Sequence, residues 1–414
     1  MSTGPSGLFM AYKDIWLLDG VRTPFVDYNG ALGLVSPIDL GIKVARALFE
    51  RTKIAPSDVG SVIAGSVAQT SFDAYVLPRH IGLYCGVPTD RPALLVQRVC
   101  GTGIETIAQA ADAITLNKID LGLCVGAESM SRNPVAAFTH RSGFRMGQVE
   151  FKDFLWEALL DTAPGVTMGE TAETVAKTYH ITREDADRFA ELSFSRAVSA
   201  QKSCFLSGEI VPLASQAFEL SGYKTRGIQL PKGVESLAVD THIRPSTFEA
   251  LSKIRPAFGG VQTGGNSSAI VDGAAAALVG SGAYAKSNSI EPLARIAAVA
   301  TVGVRPELMS IGPAPAVRRL LEGAGLTLDQ VDRFEVNEAF AAQLIAVERE
   351  LGIDRSKLNV NGGAIAIGHP LAATGVRLAL TLSRELRRAK LRYGVASARI
   401  GGGQGIALLL ENPN

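Results

Sequence analysis

The chain has 414 residues, of which 47% are hydrophobic and 20% charged, so it can bury a large core and is not a disordered protein. Its length exceeds that of one compact core and predicts two or three structural units. With 41 basic and 40 acidic side chains the formal net charge is +1, so no overall field favours nucleic acid or an anionic membrane.

The cysteines and the two ends of the chain predict where the protein resides. The 4 cysteines, Cys85, Cys100, Cys124 and Cys204, are too sparse for a disulfide framework and indicate a reducing compartment. The first residues show no charged region leading into a long apolar stretch, and no window reaches transmembrane length without polar interruption. The last residues carry neither a prenylation signal nor a peroxisomal tripeptide. We therefore expect a cytoplasmic protein.

Two stretches of the chain follow the same plan. KIAPSDVGSVIAGSV and GLTLDQVDRFEVNEA both predict the end of a helix followed by a strand, with Val62 corresponding to Phe334. Further along, each copy has a Gly-flanked residue, Cys100 or His369, then an Ala-rich helix and another strand. This repetition predicts an internal duplication of α/β halves.

The segment between the two copies differs from both. From about residue 130 to 270 it has mixed polar and aromatic stretches and amphipathic helices such as REDADRFAELSFSRAVSAQ. This composition predicts an inserted loop domain. We therefore expect residues 1–129 with 271–291 to form the first half, residues 130–270 the insertion and residues 292–414 the second half.

The first candidate site is the segment VQRVCGTGIETIAQAADAI. An apolar strand ends at Val99, Gly101 and Gly103 predict a tight turn, and the Ala-rich run predicts a helix. Cys100 should therefore lie at a helix N-terminus, where free amides and the macrodipole favour the thiolate. The alternative is a small buried apolar residue, which the spacing alone favours.

The second candidate site combines NVNGGAIAIGHPLAATG with FEVNEAFAAQ. Of the 5 histidines, His369 alone stands in a Gly-rich strand-to-helix turn, with Pro370 suited to the first helical turn. The turn presents the imidazole as a general base requires, or else His369 only satisfies local backbone. Asn337 and Glu338 follow an apolar strand and either cap the next helix or point into a site; the residues alone favour capping.

A third glycine-rich element, ARIGGGQGIALLL, stands near the C-terminus. A triple glycine beside a strand cradles phosphate, supplies oxyanion-hole amides or, more often, forms a tight turn. The sequence contains no Walker P-loop, complete Rossmann fingerprint, GxSxG elbow or metal-spaced His/Cys cluster. We therefore expect no metal site and no tightly bound cofactor.

Taken together, these elements resemble the thiolase family, in the family's order and over nearly the whole chain. The GHP and NEAF blocks are the most specific. The matching motifs are VRTPF, VCGTGIETIAQA, VGAESMS, MGETAE, RPAF, GGNSS, VDGAA, NEAF, GGAIAIGHPLAATG and IGGGQG. The resemblance implies an α/β protein with the five-layered αβαβα thiolase fold. It also implies an acyl-CoA C-acyltransferase that performs thiolysis of 3-ketoacyl-CoA or condensation of acetyl-CoA through an acyl-cysteine.

The resemblance assigns catalytic roles to several of these residues. It implies that Cys100 is the acyl-carrying nucleophile and that His369 is its base. The amides of Cys100 and Gly401 would hold the oxyanion of the acyl-enzyme step. His369, together with a water held by Asn337, would hold the thioester oxygen of the incoming acyl-CoA.

The resemblance also implies how the substrate and partner subunits bind. The insertion would cover coenzyme A, the thioester of which is a substrate rather than a resident cofactor. Met168 and Ser268 would lie near the pantetheine arm, and Phe340 would line the pocket. A homodimer or homotetramer is expected, because thiolase-like halves pair their nucleophile strands across a two-fold axis.

Arg399 departs from the family pattern. Thiolases place a second cysteine immediately before the last glycine-rich loop, as the acid or base at the α-carbon, and Arg399 stands at that position. A guanidinium stays protonated at neutral pH and cannot act as a base. Thr167 is a smaller departure, since several acetoacetyl-CoA-forming members have His there, and it leaves the acyl chain length open.

Arg399 opens two hypotheses about activity. In the first, condensation is weak, the acyl-enzyme leaks to water, and Arg399→Cys restores condensation. In the second, the guanidinium pairs with a substrate carboxylate, as in a dicarboxylic acyl group or a malonyl-type donor. The alternatives to an active thiolase are therefore a thiolase-fold thioesterase, a transferase for carboxylated acyl-CoA, or a non-catalytic acyl-CoA-binding subunit.

Overall fold

The computed structural model describes residues 6–69, 74–138 and 140–413. The strands in these ranges are β1 (Leu8–Ala11), β2 (Ile15–Arg22), β3 (Val26–Asp27), β4 (Ser61–Gly65), β5 (Ala93–Leu95), β6 (Leu121–Glu128), β7 (Val135–Ala136), β8 (Lys152–Asp153), β9 (Leu160–Asp161), β10 (Val166–Thr167), β11 (Leu213–Ala214), β12 (Gln216–Phe218), β13 (Arg226–Ile228), β14 (Ser236–Leu237), β15 (Val271–Ser281), β16 (Ala294–Gly303), β17 (Arg333–Val336), β18 (Tyr393–Ile400) and β19 (Gln404–Glu411). The helices are α1 (Pro37–Thr52), α2 (Leu77–Tyr84), α3 (Thr102–Thr115), α4 (Phe154–Ala158), α5 (Met168–Thr178), α6 (Arg183–Lys202), α7 (Phe248–Leu251), α8 (Gly282–Ser287), α9 (Pro313–Ala324), α10 (Ala341–Leu351), α11 (Ala364–Ile367) and α12 (Leu371–Ala389). None of these helices is long and apolar enough to cross a membrane.

The main sheet repeats one topology. Its strands follow the order β17-β18-β19-β16-β2-β15-β6-β4-β5, with β1 on β16 and β3 on β15. In the first half β4 pairs in parallel with β5 and β6, in the second half β17 pairs in parallel with β18, and the inner pairs of both halves are antiparallel. Val62 and Phe334 lie on the corresponding strands β4 and β17. The predicted duplication is confirmed.

The two half-sheets enclose a central helical layer. They meet at β2 and β16, which pair only through Leu17 with Ala294 and Trp16 with Arg295. Helices α3 and α12 pack against each other, and α12 contacts strands of both halves. Helices α1 and α2 cover the outer face of the first half, and α9, with α10 packed against it, covers the second. These are the five αβαβα layers that the resemblance implied.

The side chains of strand β15 alternate between two hydrophobic clusters of the core. The strand is buried along nearly its whole length because helices lie on both of its faces. One set of its side chains packs in the cluster under α1, and the other packs in the cluster that contains α3 and α12. The first set is Ala274, Ala276 and Leu278, and the second is Ala275, Ala277 and Val279.

The segment between the halves, residues 130–270, contains α4 to α7 and short antiparallel strand pairs. Helices α5 and α6 begin with capping boxes, Thr167 with Glu170 and Thr182 with Asp185. Both helices pack on α10 of the second half, which places the N-terminus of α5 beside the site described below. The boundaries of the three units remain a prediction.

Candidate active site

A cavity of about 480 Å³ lies where the N-terminal turns of α3 and α12 come together. Its wall is built from both halves and from the insertion, so it exists only in the assembled chain. Arg399 reaches it from the end of β18. The residues predicted from the sequence that line it are Cys100, His369, Arg399, Met168, Ser268 and Phe340. Asn337 and Gly401 are buried close behind this wall, where they contact His369 and the Cys100 sulfur.

Cys100 is held on a strained turn. Val99 has a φ of 44°, a left-handed conformation that a β-branched residue rarely adopts. The turn closes by hydrogen bonds from the Gly101 amide to the Arg98 carbonyl (2.9 Å) and from the Thr102 amide to the Val99 carbonyl (3.0 Å). A Cβ on Gly101 would lie 2.7 Å from Ile400 Cδ1, so a larger residue after the cysteine would require the Ile400 side chain to shift. Helix α3 then begins at Thr102.

The Cys100 sulfur is deeply buried beside backbone amides. The side chain is 4% exposed, and the amides of Gly401 and Cys100 favour the charged form of the sulfur. Burial raises the pKa of the thiol above its ordinary value, whereas the charge of Arg399 and the two amides act in the opposite direction. Burial prevails, so the expected preference for the thiolate at the helix N-terminus is outweighed and the resting group is a thiol.

The imidazole of His369 has a polar partner at each nitrogen. Nδ1 lies 2.6 Å from Thr374 Oγ1, which is also 3.1 Å from the Pro370 carbonyl. Nε2 lies 3.2 Å from the amide nitrogen of Asn337. If the Thr374 hydroxyl donates to the carbonyl, Nδ1 carries the proton and Nε2 accepts from Asn337, an assignment made from the hydrogen-bond partners.

His369 is a neutral group in this environment. Burial, with the nearby charges of Arg399 and Arg377 adding to it, lowers the pKa of His369 to about 3. Among the described residues no direct hydrogen bond joins His369 to the Cys100 sulfur, since both ring nitrogens are engaged elsewhere. Proton transfer between these two residues therefore needs a bridging group or a movement of the ring.

The capping interpretation of Asn337 and Glu338 is wrong. Helix α10 begins at Ala341 with Phe340 as its N-cap and no side-chain capping bond. Asn337 contacts His369 instead. The Glu338 carboxylate accepts from Ser193 Oγ (2.6 Å), Asn359 Nδ2 (2.8 Å) and the Ile365 amide (3.2 Å). Glu338 thus fixes the glycine-rich segment that leads to His369.

Arg399 is a buried guanidinium with unusual partners. It is 3% exposed, and its Nη1 lies 3.2 Å from the sulfur atoms of both Met168 and Met309. Its Cζ lies 5.4 Å from the ring centroid of Phe340, and its Nε has no partner. Burial lowers the pKa of Arg399, and Cys100 is the group that opposes this effect. In the described residues no carboxylate contacts it.

Some residues of the site were missed from the sequence. Thr374 stands inside the quoted GHPLAATG block, so a hydroxyl on the turn after His369 was a usable signal. Asp27 and His242 also line the cavity, and Asp27 Oδ1 lies 2.6 Å from His242 Nδ1. No sequence pattern joins these two, because they are far apart in the chain and meet only through the fold.

No other cysteine of the chain takes the place that Arg399 occupies. Cys85 and Cys124 are buried in other parts of the structure, and Cys204 is exposed. Only Cys100 of the four lines the cavity. In residues 6–69, 74–138 and 140–413, no group of three or more His, Cys, Asp or Glu side chains is arranged to hold a metal ion.

Comparisons with known proteins agree with this architecture. Models of the thiolase N-terminal and C-terminal domains match residues 15–283 and 290–412. The mitochondrial 3-ketoacyl-CoA thiolase of Bos taurus is 41% identical over 404 residues, 97% of this chain and 98% of that protein. The acetyl-CoA acetyltransferase of Paracoccus denitrificans is 40% identical over 405 residues, covering 96% and 99%. The crystal structure of human mitochondrial 3-ketoacyl-CoA thiolase in complex with CoA superposes with a TM-score of 0.91 at 39% identity, covering 97% of this chain and 99% of that one. This chain belongs to the thiolase family.

Proposed function

We propose that this protein is an acyl-CoA C-acyltransferase of the thiolase type that carries the acyl group on Cys100. The observation that carries this proposal is the meeting of Cys100 and His369 in one cavity. Relatives named 3-ketoacyl-CoA thiolase and acetyl-CoA acetyltransferase support it. The human relative solved with CoA supports a coenzyme A thioester as the substrate.

The proposed reaction has two halves. In the thiolytic direction Cys100 gives its thiol proton to His369 and its Sγ attacks the 3-keto carbon. The bond between C2 and C3 breaks, its electron pair forms the enolate of acetyl-CoA, and the enolate takes up the proton that His369 accepted. The thiol of free coenzyme A then attacks the acyl-cysteine, the shortened acyl-CoA is released, and the proton of the attacking thiol restores the Cys100 thiol. Each tetrahedral intermediate carries an oxyanion, for which the amides of Cys100 and Gly401 are preorganised donors.

The remaining roles follow from position. Neutral His369 is the group that accepts the thiol proton, and Asn337 orients its ring through Nε2. Met168 and Ser268 are assigned to the pantetheine arm and Phe340 to the pocket wall, which their positions on the cavity lining support. The relatives' names favour acyl transfer over a thioesterase or a non-catalytic subunit.

The acyl-cysteine step is tested by replacing the nucleophile. Cys100→Ser should abolish acyl-enzyme formation and turnover, because the hydroxyl is a far weaker nucleophile than the sulfur at neutral pH. Mass spectrometry of the intact protein after mixing with a 3-ketoacyl-CoA measures the adduct. Cys204→Ser, at an exposed position outside the cavity, is the control and should acylate normally. Turnover that survives in Cys100→Ser would show that the acyl group is carried elsewhere.

We also propose that the protein is a homo-oligomer of the cytoplasm. Strand β5 is the last strand at one end of the sheet, and Leu94 on it is 45% exposed. A strand edge with apolar side chains favours pairing with a second copy. Several relatives are named as mitochondrial proteins, so the cytoplasmic location needs its own test. Microscopy of the protein fused to a fluorescent protein at either terminus would show its compartment.

A further inference from the structure

We propose that Arg399 binds a substrate carboxylate, so that the acyl groups this enzyme transfers are those of dicarboxylic acids. The inference rests on the proposed acyl transfer through Cys100 and adds to it the chemical class of the acyl group. The carboxylate stands either on the α-carbon, as in malonyl-CoA, or at the far end, as in succinyl-CoA or glutaryl-CoA. In both cases the acyl group carries an anionic carboxylate that reaches Arg399 while the thioester carbon lies at Cys100.

The first argument is the absence of a counter-ion in the described structure. Other deeply buried arginines of this chain have carboxylate partners: Arg22 pairs with Glu209 and Asp240, and Arg377 with Glu335. Arg399 is as buried as these but contacts two methionine sulfurs and an aromatic ring. A buried charge without a partner is unfavourable, and a ligand anion relieves this cost.

The second argument is the unused hydrogen-bonding capacity of the guanidinium. Nη1 reaches only methionine sulfur, which is a weak acceptor, and Nε reaches no acceptor. The planar fork of an arginine matches the two oxygens of a carboxylate. Arg399 lines the same cavity as Cys100, so a carboxylate attached to the acyl chain approaches the guanidinium from the cavity side, and pairing with Nε as well requires this buried edge to turn toward the cavity.

The third argument is the charge pattern of the cavity wall. Among the described residues that line it, Arg399 is the only arginine or lysine. The one acidic lining residue, Asp27, is engaged by Thr241 Oγ1 (2.7 Å) and His242 Nδ1 (2.6 Å). Most of the wall around Arg399 is apolar, including Met168 and Phe340. An anion entering this space therefore has one fixed cation to bind.

A different role for Arg399 makes a different prediction. If its charge only stabilised the Cys100 thiolate, it would speed acylation by every acyl-CoA to a similar extent. Carboxylate recognition instead speeds acylation only by the carboxylated substrates. The ratio of the two rates, rather than either rate alone, therefore tests the proposal.

The experiment measures acylation of Cys100 by intact-protein mass spectrometry. Succinyl-CoA, glutaryl-CoA and malonyl-CoA are compared with neutral acyl-CoAs of matching length. We expect wild type to prefer at least one carboxylated substrate by about ten-fold or more, as for a charge-assisted bidentate pair. Arg399→Gln should remove the preference, and Arg399→Lys should retain part of it. Arg305→Gln, at a largely exposed arginine, is the control.

The outcomes separate this inference from the proposed function. Equal rates for both substrate classes, unchanged in Arg399→Gln, would overturn carboxylate recognition and leave acyl transfer standing. If no acyl-CoA modifies Cys100, the proposed transfer fails. Calorimetry on Cys100→Ala then decides the inference: tighter binding of succinyl-CoA than of its neutral match, lost on adding Arg399→Gln, supports it, and equal binding overturns it.

A stability measurement provides an independent readout. Arg399→Met replaces an unpaired buried charge by an apolar side chain beside two other methionines, so the thermal midpoint should rise while the preference for carboxylated substrates disappears. A fall in the thermal midpoint would show that the guanidinium is stabilised by the folded protein itself, and this would contradict the argument from the missing counter-ion. Arg399→Cys tests the rival hypothesis: faster thiolysis of acetoacetyl-CoA, with acylation by the carboxylated substrates unchanged, would show that Arg399 only replaces an acid or base and would overturn carboxylate recognition.

Discussion

The tautomer of His369 depends on one hydroxyl. Thr374 Oγ1 stands between Nδ1 of the ring and the carbonyl of Pro370, and it links the first turn of α12 to the imidazole. With Nδ1 protonated, the lone pair of Nε2 accepts from Asn337 at rest, and it takes up a proton only after a movement of the ring or of Asn337. Thr374 acts through His369, so it is a positioning residue.

Removing this hydroxyl should impair catalysis without disrupting the fold. In Thr374→Val the ring loses its Nδ1 partner, so the tautomers mix and kcat should fall about ten-fold or more, with a smaller change in KM. Thr374→Ser keeps the hydroxyl and should restore most of the rate. Steady-state kinetics on a 3-ketoacyl-CoA measures both. If the serine variant is as slow as the valine variant, packing of the methyl group explains the loss.

The neutral state of His369 also predicts a pH dependence of stability. The pKa of this imidazole is about 3 in the folded protein and 6.5 without the protein's influence, so between these values the unfolded chain binds more protons. The free energy of unfolding therefore rises with pH in this window, and the contribution is lost as pH falls, by up to about 1.4 kcal/mol per pH unit. Denaturant unfolding of wild type and His369→Gln from pH 7 to pH 4 should show wild type losing stability relative to the variant. A constant difference would mean that the imidazole is not held neutral.

Residue roles were predictable from the sequence only where a motif carries them. Cys100 and His369 stand in glycine-rich blocks that predict a turn before a helix, and both residues line the cavity. Asn337 and Glu338 look like helix caps locally, because the sequence does not show that Phe340 starts the helix in extended backbone. The contacts of Arg399 with Met168 and Met309 depend on elements far apart in the chain.

At the scale of elements, the site depends on how closely α3 and α12 approach. A Cβ on Gly375 would lie 2.3 Å from the Ile104 nitrogen, and one on Gly103 would lie 2.5 Å from the Val376 nitrogen. Both contacts are with backbone, which cannot move aside as a side chain can. The glycine pair therefore sets the distance between the two helices and hence between the turns that carry Cys100 and His369.

Gly375→Ala should force these helices apart. Alanine normally favours a helix interior over glycine by about 1 kcal/mol, whereas overpacking costs about 1–3 kcal/mol or more, and here the clash should decide the sign. We expect a lower free energy of unfolding in urea and a loss of activity. Gly303→Ala is the control, since no atom lies within 4 Å of its added Cβ. If Gly375→Ala proves as stable as that control, the close approach does not hold the helices.

The order of elements was also predictable, but their boundaries were less so. The repeated helix-to-strand plan and the Ala-rich helices predicted two halves, because local periodicity and turn residues carry that information. The way in which β2 and β16 join the half-sheets was not predictable, since pairing between distant strands leaves no local pattern. The short strand pairs of residues 130–270 were missed for the same reason.

At the scale of the whole molecule, the exposed edge of β5 predicts association. Wild type should sediment as a dimer or a larger oligomer, and Leu94→Lys should shift it toward monomer by placing a charge on the edge strand. Leu116→Lys, at an apolar position that is 62% exposed after α3, should leave the assembly unchanged. Analytical ultracentrifugation at micromolar concentration measures this. A stable wild-type monomer would contradict the proposed oligomer.

The duplicated topology places Cys100 and His369 at equivalent points, each on the turn before the central helix of its own half. A dimer of two identical halves would carry the same residue at both points and so could not set a thiol opposite an imidazole. When the two copies are joined in one polypeptide, this symmetry constraint no longer applies, because the two copies can then carry different residues at equivalent positions. The reactive pair thus depends on different residues at equivalent points of the two copies, and neither half alone contains both members of the pair.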